Sequence, residues 1–127
     1  MEIKNVGMFV KDLEAAKKFF EDYFGMTVHC VYNEEENNFY SYIMKFDSPT
    51  SAKIELMTKP EIVDDKKDKN RTGYCHICIK VDSREKLDEI IAKVHEDGYE
   101  VLYEPATVGG KEIRAVMFED NVIEVTA

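Results

Sequence analysis

The chain has 127 residues, 44% of them hydrophobic, which is enough for one compact core or for two small halves that share a core. The net charge of −9, from 26 acidic and 17 basic residues, argues against nucleic acid or an anionic membrane as a partner, since both require a basic face. No apolar stretch reaches membrane-spanning length, and no basic and then apolar leader is present. Three cysteines, an odd number, do not suit a disulfide framework, so we expect a reduced, cytoplasmic protein.

The first half of the chain has the pattern of a strand, a helix and three further strands. Residues 3–10 alternate as in a strand, and Asp12 can cap a helix that ends at Gly25. The rest of this half predicts, in order, an extended stretch, a polar turn and two strands, at residues 28–32, 33–38, 39–46 and 53–57.

Residues 59–73 are predicted to form a linker. This segment contains Pro60, and it has no apolar periodicity after Val63. Residues 64–71 form a charged run, which is typical of a solvated, mobile connection. The chain therefore divides into a first module at 1–58, a linker at 59–73 and a second module at 74–127.

The second module repeats the order of the first. Residues 74–81 have a strand pattern, Ser83 can cap a helix that stops at Gly98, and Gly109 with Gly110 marks a later turn. The apolar stripe of this helix consists of Leu87, Ile90, Ile91 and Val94. Strands are predicted near residues 100–103, 113–118 and 122–125. We predict an α+β fold in which two tandem βαβββ modules form a curved mixed sheet with a concave ligand site.

Four polar residues occupy equivalent strand positions in the two modules. Strand alternation places each of them on the face away from the helix: Asn5, Glu55, His76 and Glu124. For a single glutamate, a solvated sheet face is a sufficient explanation, because alternation alone puts polar residues there. Two carboxylates and one imidazole at repeat-related positions instead favour a site for a divalent metal with open positions.

The chain resembles the vicinal oxygen chelate superfamily, which includes glyoxalase I, methylmalonyl-CoA epimerase, extradiol dioxygenases, fosfomycin-resistance transferases and bleomycin-binding proteins. Residues 5–14 (Asn-Val-Gly-Met-Phe-Val-Lys-Asp-Leu-Glu), 19–20 (Phe-Phe) and 24–25 (Phe-Gly) are similar to its opening motif. Residues 73–77 (Gly-Tyr-Cys-His-Ile) and 123–125 (Ile-Glu-Val) are similar to its second module. The resemblance covers the whole chain.

The resemblance implies a metal site at the four repeat-related positions. Glu55, His76 and Glu124 match the ligands of glyoxalase I by type, whereas Asn5 stands where the family usually has histidine. The implied cofactor is a divalent metal, Ni, Zn, Co, Mn or Fe, which would act as a Lewis acid on two neighbouring oxygens of a substrate. Glu124 is then the expected catalytic base, with Glu55 as a ligand or second base. Phe9 lies near the place where an arginine contacts glutathione in typical glyoxalases.

Four residues that could reach the concave face are candidates for substrate binding: Phe9, Met57, Cys78 and Arg114. The spacing of Cys75 and Cys78 could suggest a zinc knuckle, but positions three apart in a strand point to opposite faces. We therefore expect Cys78 on the face of His76 and Cys75 packed under the helix.

Two classes of function follow from these residues. The first is a glyoxalase-like metal-dependent lyase or isomerase, which moves a proton on a small α-hydroxycarbonyl or hemithioacetal. The alternative is a metal-free protein of the bleomycin-resistance type that binds a small molecule or drug. Two modules per chain also suggest a homodimer. The ligands of one site could come from one chain, or Asn5 and Glu55 could meet His76 and Glu124 of the partner subunit.

Overall fold

The computed structural model describes residues 1–63, 70, 72–102, 106–108 and 111–127, with the backbone alone for 106–108 and 111. The chain forms two compact units, Met1–Val63 and Asp64–Ala127. Each unit contains one helix and a four-stranded mixed sheet, in the order strand, helix, three strands. The predicted α+β class and the repeated βαβββ order are therefore confirmed.

The elements of the first unit are β1 (Asn5–Phe9), α1 (Leu13–Phe24), β2 (Thr27–Glu34), β3 (Phe39–Lys45) and β4 (Lys53–Thr58), with a short 3₁₀ turn at Glu35–Asn37. Helix α1 begins where predicted, because the Asp12 side chain accepts a hydrogen bond from the backbone N–H of Ala15. The helix ends at Gly25, whose φ of 65° is a left-handed conformation that glycine adopts without strain.

The first sheet has the strand order β1-β4-β3-β2, with β1 and β4 parallel and the other pairs antiparallel. Its core lies between α1 and one face of the sheet. That core is formed by Met8, Val10, Ala16, Phe19, Phe20, Met26, Met44, Ile54 and Leu56. Because these strand residues alternate with the polar ones, the face away from α1 carries Asn5 and Glu55.

The elements of the second unit are β5 (Ile77–Lys80), α2 (Arg84–Glu96), β6 (Ala106–Val108), β7 (Lys111–Phe118) and β8 (Asn121–Thr126). The strand order is β5-β8-β7-β6, with β5 and β8 parallel. The Ser83 side chain caps α2 by accepting from the N–H of Lys86 at 3.1 Å. The predicted apolar stripe of α2 is fully confirmed, since Leu87, Ile90, Ile91 and Val94 are all buried.

The second unit differs from the predictions in two places. The strand predicted at 74–81 begins only at Ile77, so His76 precedes it. Of the strand predicted at 100–103, the described residues 100–102 form one isolated bridge, between Val101 and Val116, and the edge strand is β6. The Gly109-Gly110 turn and most of the charged run at 64–71 lie outside the described residues. Neither of the two described helices has the length and apolar character needed to cross a membrane.

Candidate functional site

The first unit holds a contact between Asn5 and Glu55. Strands β1 and β4 pair with Asn5 beside Lys53 and with Gly7 beside Glu55, so Asn5 is diagonal to the glutamate. The Asn5 amide Nδ2 donates to Glu55 Oε2 at 3.1 Å, and the pair is partly buried. A carboxylate in the middle of a strand is costly to desolvate unless it is paired, and this hydrogen bond supplies one partner.

The second unit holds the equivalent contact between His76 and Glu124. His76 Nε2 lies 3.2 Å from Glu124 Oε2, with the side chains 38% and 17% exposed. Glu124 is in the middle of β8, where its partner on β5 is Cys78. His76 is therefore diagonal to Glu124 in the same sense as Asn5 is to Glu55. The prediction that each module places its two polar residues on one face is confirmed; that all four form one site stays a prediction.

The donor atoms of the second unit suit a divalent cation. Two neighbouring ligands, each about 2.1 Å from one ion, lie about 3.0 Å apart in octahedral and about 3.4 Å apart in tetrahedral geometry, and the separation of His76 Nε2 and Glu124 Oε2 is 3.2 Å. The NH₂ nitrogen of Asn5 faces Glu55, and this nitrogen has no lone pair to offer to a cation. Within either unit, the described residues include no group of three His, Cys, Asp or Glu side chains that could hold an ion.

An apolar surface adjoins Glu55 in the first unit. The missing side chain of Gly7 leaves room for the thioether of Met57, since a Cβ built on Gly7 would be 2.8 Å from Met57 Cε. Phe9, the strand partner of Met57, is 46% exposed, and Lys59 Nζ lies 5.3 Å from the centre of its ring. Phe9 and Met57 thus lie on the Glu55 face; that they bind substrate stays a prediction.

A cleft of about 540 Å³ opens beyond this surface. It lies at the ends of β1 and β4, and its lining consists of Lys11, Asn38, Tyr40, Thr58, Lys59, Pro60 and Ile62. Neither Asn5 nor Glu55 is part of the lining. Lys59 is the residue that belongs both to the cleft and to the contact with Phe9.

Two substrate-binding candidates of the second unit lie on opposite faces of the sheet. Cys78 is exposed and is the strand partner of Glu124, so it shares the Glu124 face. Arg114 is the strand partner of the buried Val125, so it faces α2. Glu112, two residues away on the same face, pairs with Arg84 at the start of α2 at 3.0 Å. The expectation that Arg114 reaches the Glu124 face was therefore wrong.

Cys75 is a second residue whose placement the sequence pattern missed. It is exposed, and its Sγ lies 3.1 Å from Nδ1 of His76. The expectation that it packs under the helix was wrong because β5 begins at Ile77, so strand alternation does not extend back to position 75. Its position directly before His76 is the signal that could have indicated the contact.

One titratable group with a shifted pKa lies on the helix-covered face of the first unit. The pKa of Tyr42 is raised above its usual 10, first because its hydroxyl donates a hydrogen bond to Glu14 and then because of burial and the negative charges of Glu14 and Glu21. Lys17 Nζ lies 5.2 Å from the centre of the Tyr42 ring. This group fastens α1 to β3 and is separate from the Asn5–Glu55 face.

Comparison with known families decides the classification. The sequence profile of the glyoxalase/bleomycin resistance protein/dioxygenase superfamily matches residues 4–118. The chain belongs to this superfamily. The match includes Asn5, Glu55 and His76 and ends before Glu124. A search of curated proteins finds no match.

Solved structures of this superfamily share the fold. The glyoxalase family protein from Enterococcus faecalis is 20% identical with a TM-score of 0.79, over 99% of this chain and 97% of that one. The trypanothione-dependent glyoxalase I of Leishmania major is 22% identical with a TM-score of 0.77, over 98% and 85%. A V278E mutant of glyoxalase I from Zea mays is 20% identical with a TM-score of 0.76, over 96% of this chain. The chain spans less than half of the maize protein, 44% of its length.

Proposed function

We propose that the protein is a metal-dependent lyase or isomerase that moves a proton between adjacent carbons of a small molecule with two vicinal oxygens. The observation that carries this proposal is the 3.2 Å contact between His76 Nε2 and Glu124 Oε2. An imidazole and a carboxylate on one exposed sheet face form a donor pair for a divalent ion, and the carboxylate is also a competent base. Membership of the superfamily and the glyoxalase-like neighbours support the same class of chemistry.

Three residues are proposed to hold the ion: Glu55, His76 and Glu124. When bound, the ion would supply Lewis-acid polarisation of the substrate oxygens. Glu124 accepts the proton from the carbon beside the carbonyl and returns it to the neighbouring carbon. Its side chain is only 17% exposed, so competing water has limited access to it. In the absence of the ion, the Nε2 contact of His76 restricts the rotation of this carboxylate.

The proposed substrate is a small α-hydroxycarbonyl or hemithioacetal with an apolar part. Phe9 and Met57 lie beside Glu55 on the same face of the sheet, and they offer a surface for that apolar part. Cys78, beside Glu124, is proposed to border the substrate in the second module.

Metal loading tests this proposal directly. The protein is dialysed separately against Ni, Zn, Co, Mn and Fe(II), and bound metal is measured by inductively coupled plasma analysis. We expect stoichiometric binding of at least one ion, and loss of binding in His76→Gln and Glu124→Gln. Glu96→Gln is the matched control, because Glu96 is an exposed glutamate at the end of α2. Absence of binding under every loading condition contradicts the proposal.

Proton transfer is followed in a second assay. The metal-loaded protein is incubated in D₂O with the hemithioacetal of methylglyoxal and glutathione, and separately with dihydroxyacetone. Deuterium incorporation at the carbon beside the carbonyl, measured by proton NMR, is the expected result for one of the two classes. If the protein binds metal but neither probe incorporates deuterium, the proposed proton transfer is contradicted and only the proposed metal binding remains.

A metal-free binding protein is the second candidate. The amide of Asn5 at the first ligand position and the exposed ring of Phe9 under Lys59 favour it. An anionic aromatic compound would suit this cation and ring, and the cleft that Lys59 also lines adds a neighbouring pocket. Calorimetric titration with bleomycin and with an aromatic carboxylate such as salicylate, without metal, separates this candidate from the enzyme.

We also propose that the protein forms a homodimer, as small-molecule-binding members of the superfamily often do. Light scattering after size exclusion measures the assembly. Mixing Glu55→Gln protein with Glu124→Gln protein then tests whether one site takes its residues from two subunits. Activity returns only if Glu55 of one subunit acts with Glu124 of the partner subunit.

A further inference from the structure

We propose that Asn5 is a positioning residue, which holds the Glu55 carboxylate through N–H donation and does not itself coordinate a metal. This inference rests on the proposed function, since it concerns how the ligand Glu55 is oriented. It assigns a different role to the one position at which the chain departs from the metal-binding pattern.

The orientation of the Asn5 amide carries the argument. Nδ2 faces Glu55 Oε2 at 3.1 Å in a partly buried pair on adjacent strands. An amide can coordinate a hard cation only through its carbonyl oxygen, because the NH₂ nitrogen is a donor of hydrogen bonds. Turning that oxygen toward Glu55 would place two acceptors against each other. The N–H orientation is therefore the favourable one beside an ionised carboxylate.

The second module shows what this position does when it carries an imidazole. His76 makes the same diagonal contact with its glutamate, at 3.2 Å, through a ring nitrogen. An imidazole nitrogen can either donate an N–H or offer a lone pair to a metal, so His76 can serve as a ligand. The Asn5 nitrogen can only donate. The two modules thus keep one contact geometry but give their glutamates different neighbours, one that can bind a metal and one that only orients the carboxylate.

Ligand carboxylates in metal sites are commonly held by hydrogen bonds from a second residue, and loss of that residue typically weakens metal binding 10–100-fold. Asn5 has the position and the donor for this role toward Glu55. It follows that substituting Asn5 should alter how tightly a metal binds without altering which atoms surround the metal.

The hydrogen bond is tested first in the metal-free protein. The side-chain amide of Asn5 is observed by ¹⁵N–¹H NMR, and its hydrogen exchange is compared in wild type, Glu55→Gln and Glu55→Ala. We expect exchange roughly fivefold faster in Glu55→Ala, with partial rescue in Glu55→Gln, whose amide oxygen still accepts. If the chemical shift and the exchange rate of the Asn5 amide are the same in Glu55→Ala as in wild type, the proposal is wrong.

Coordination is tested with cobalt(II), whose visible absorption bands report the atoms that surround the ion. At saturation, Asn5→Ala and Asn5→Ser should retain the wild-type band positions, while affinity falls roughly 10–100-fold. Asn33→Ala, an exposed asparagine on β2, is the matched control and should change neither quantity. Shifted bands in both Asn5 variants would show that Asn5 coordinates the ion, and the proposal would be wrong.

The two arms separate this proposal from the proposed function. If wild-type protein binds none of the tested ions, the metal-dependent function fails. The positioning role of Asn5 is then judged by the amide exchange alone, which requires no metal.

Discussion

Glu124 Oε2 lies 3.2 Å from His76 Nε2, between the start of β5 and the middle of β8. The first module repeats this diagonal between Asn5 and Glu55 at 3.1 Å. The repeat therefore preserves a geometry while one partner changes from an imidazole to an amide.

Glu124→Gln is expected to lower kcat/KM by at least about 10²–10⁴, the range usually contributed by a positioned base, because it also removes a proposed ligand of the ion. Glutamine keeps the size of the side chain but cannot accept the substrate proton. The measurement is deuterium exchange of the hemithioacetal probe, together with urea unfolding to show that the fold is retained. Full activity in Glu124→Gln would exclude this residue as the base.

Asn5→His is expected to raise metal affinity roughly tenfold or more. The substitution replaces an NH₂ group that only donates hydrogen bonds with an imidazole that can coordinate the ion. Isothermal titration with Ni and Co measures the change. The cobalt bands of this variant should differ from those of wild type, unlike those of Asn5→Ala. Unchanged affinity in Asn5→His would show that a residue at position 5 does not reach the ion.

The effect of Gly7→Ala on stability should depend on the side chain at position 57. The new Cβ would lie 2.8 Å from Met57 Cε and 3.5 Å from Sδ, so the thioether must move off the surface beside Glu55. Alanine also favours a strand more than glycine does, which offsets part of this cost. We expect Gly7→Ala to be about 1 kcal/mol more favourable in a Met57→Ala background than in wild type. Urea midpoints of the four proteins give this coupling; additive effects would contradict it.

Tyr42→Phe should destabilise the protein by about 1 kcal/mol near neutral pH, since it removes the hydrogen bond to Glu14. The pKa of Tyr42 is raised above 10 in the folded protein, so its stabilising contribution is present below pH 10 and is lost as the pH rises through the raised pKa. The difference between wild type and Tyr42→Phe should disappear in that range.

Chemical denaturation from pH 7 upward through the raised pKa of Tyr42 measures this change. Tyr40→Phe is the control, because Tyr40 is an exposed tyrosine on the same strand. A difference between wild type and Tyr42→Phe that persists above the raised pKa would contradict the assignment to the hydroxyl.

The sequence pattern predicted correctly those features that depend on one segment of the chain alone. Asp12 and Ser83 were predicted as caps, and both accept the expected backbone hydrogen bonds. The apolar stripe of α2 was predicted residue by residue, because helical spacing alone selects which side chains face the sheet. The repeat likewise indicated that Glu55 and Glu124 occupy equivalent strand positions, and the two registers agree.

Predictions failed where they extended a local pattern beyond the element that supports it. Cys75 was assigned a face by alternation, but β5 begins two residues later and the rule does not apply there. Arg114 was a candidate for the concave face that carries Glu124, whereas antiparallel pairing with Val125 sets it on the other face. The face of a residue follows from its cross-strand partner, and that partner lies in another segment of the chain.

The sequence by itself determined the family, the two βαβββ modules and the four polar positions, because these depend on residue type, spacing and the repeat. Only the tertiary structure decided that Asn5 turns its NH₂ group toward Glu55, that Met57 lies over Gly7, and that Arg114 faces α2. Each of these orientations depends on the pairing between two strands, through the register and the space left by neighbouring side chains. Such quantities exist only once the sheet has formed.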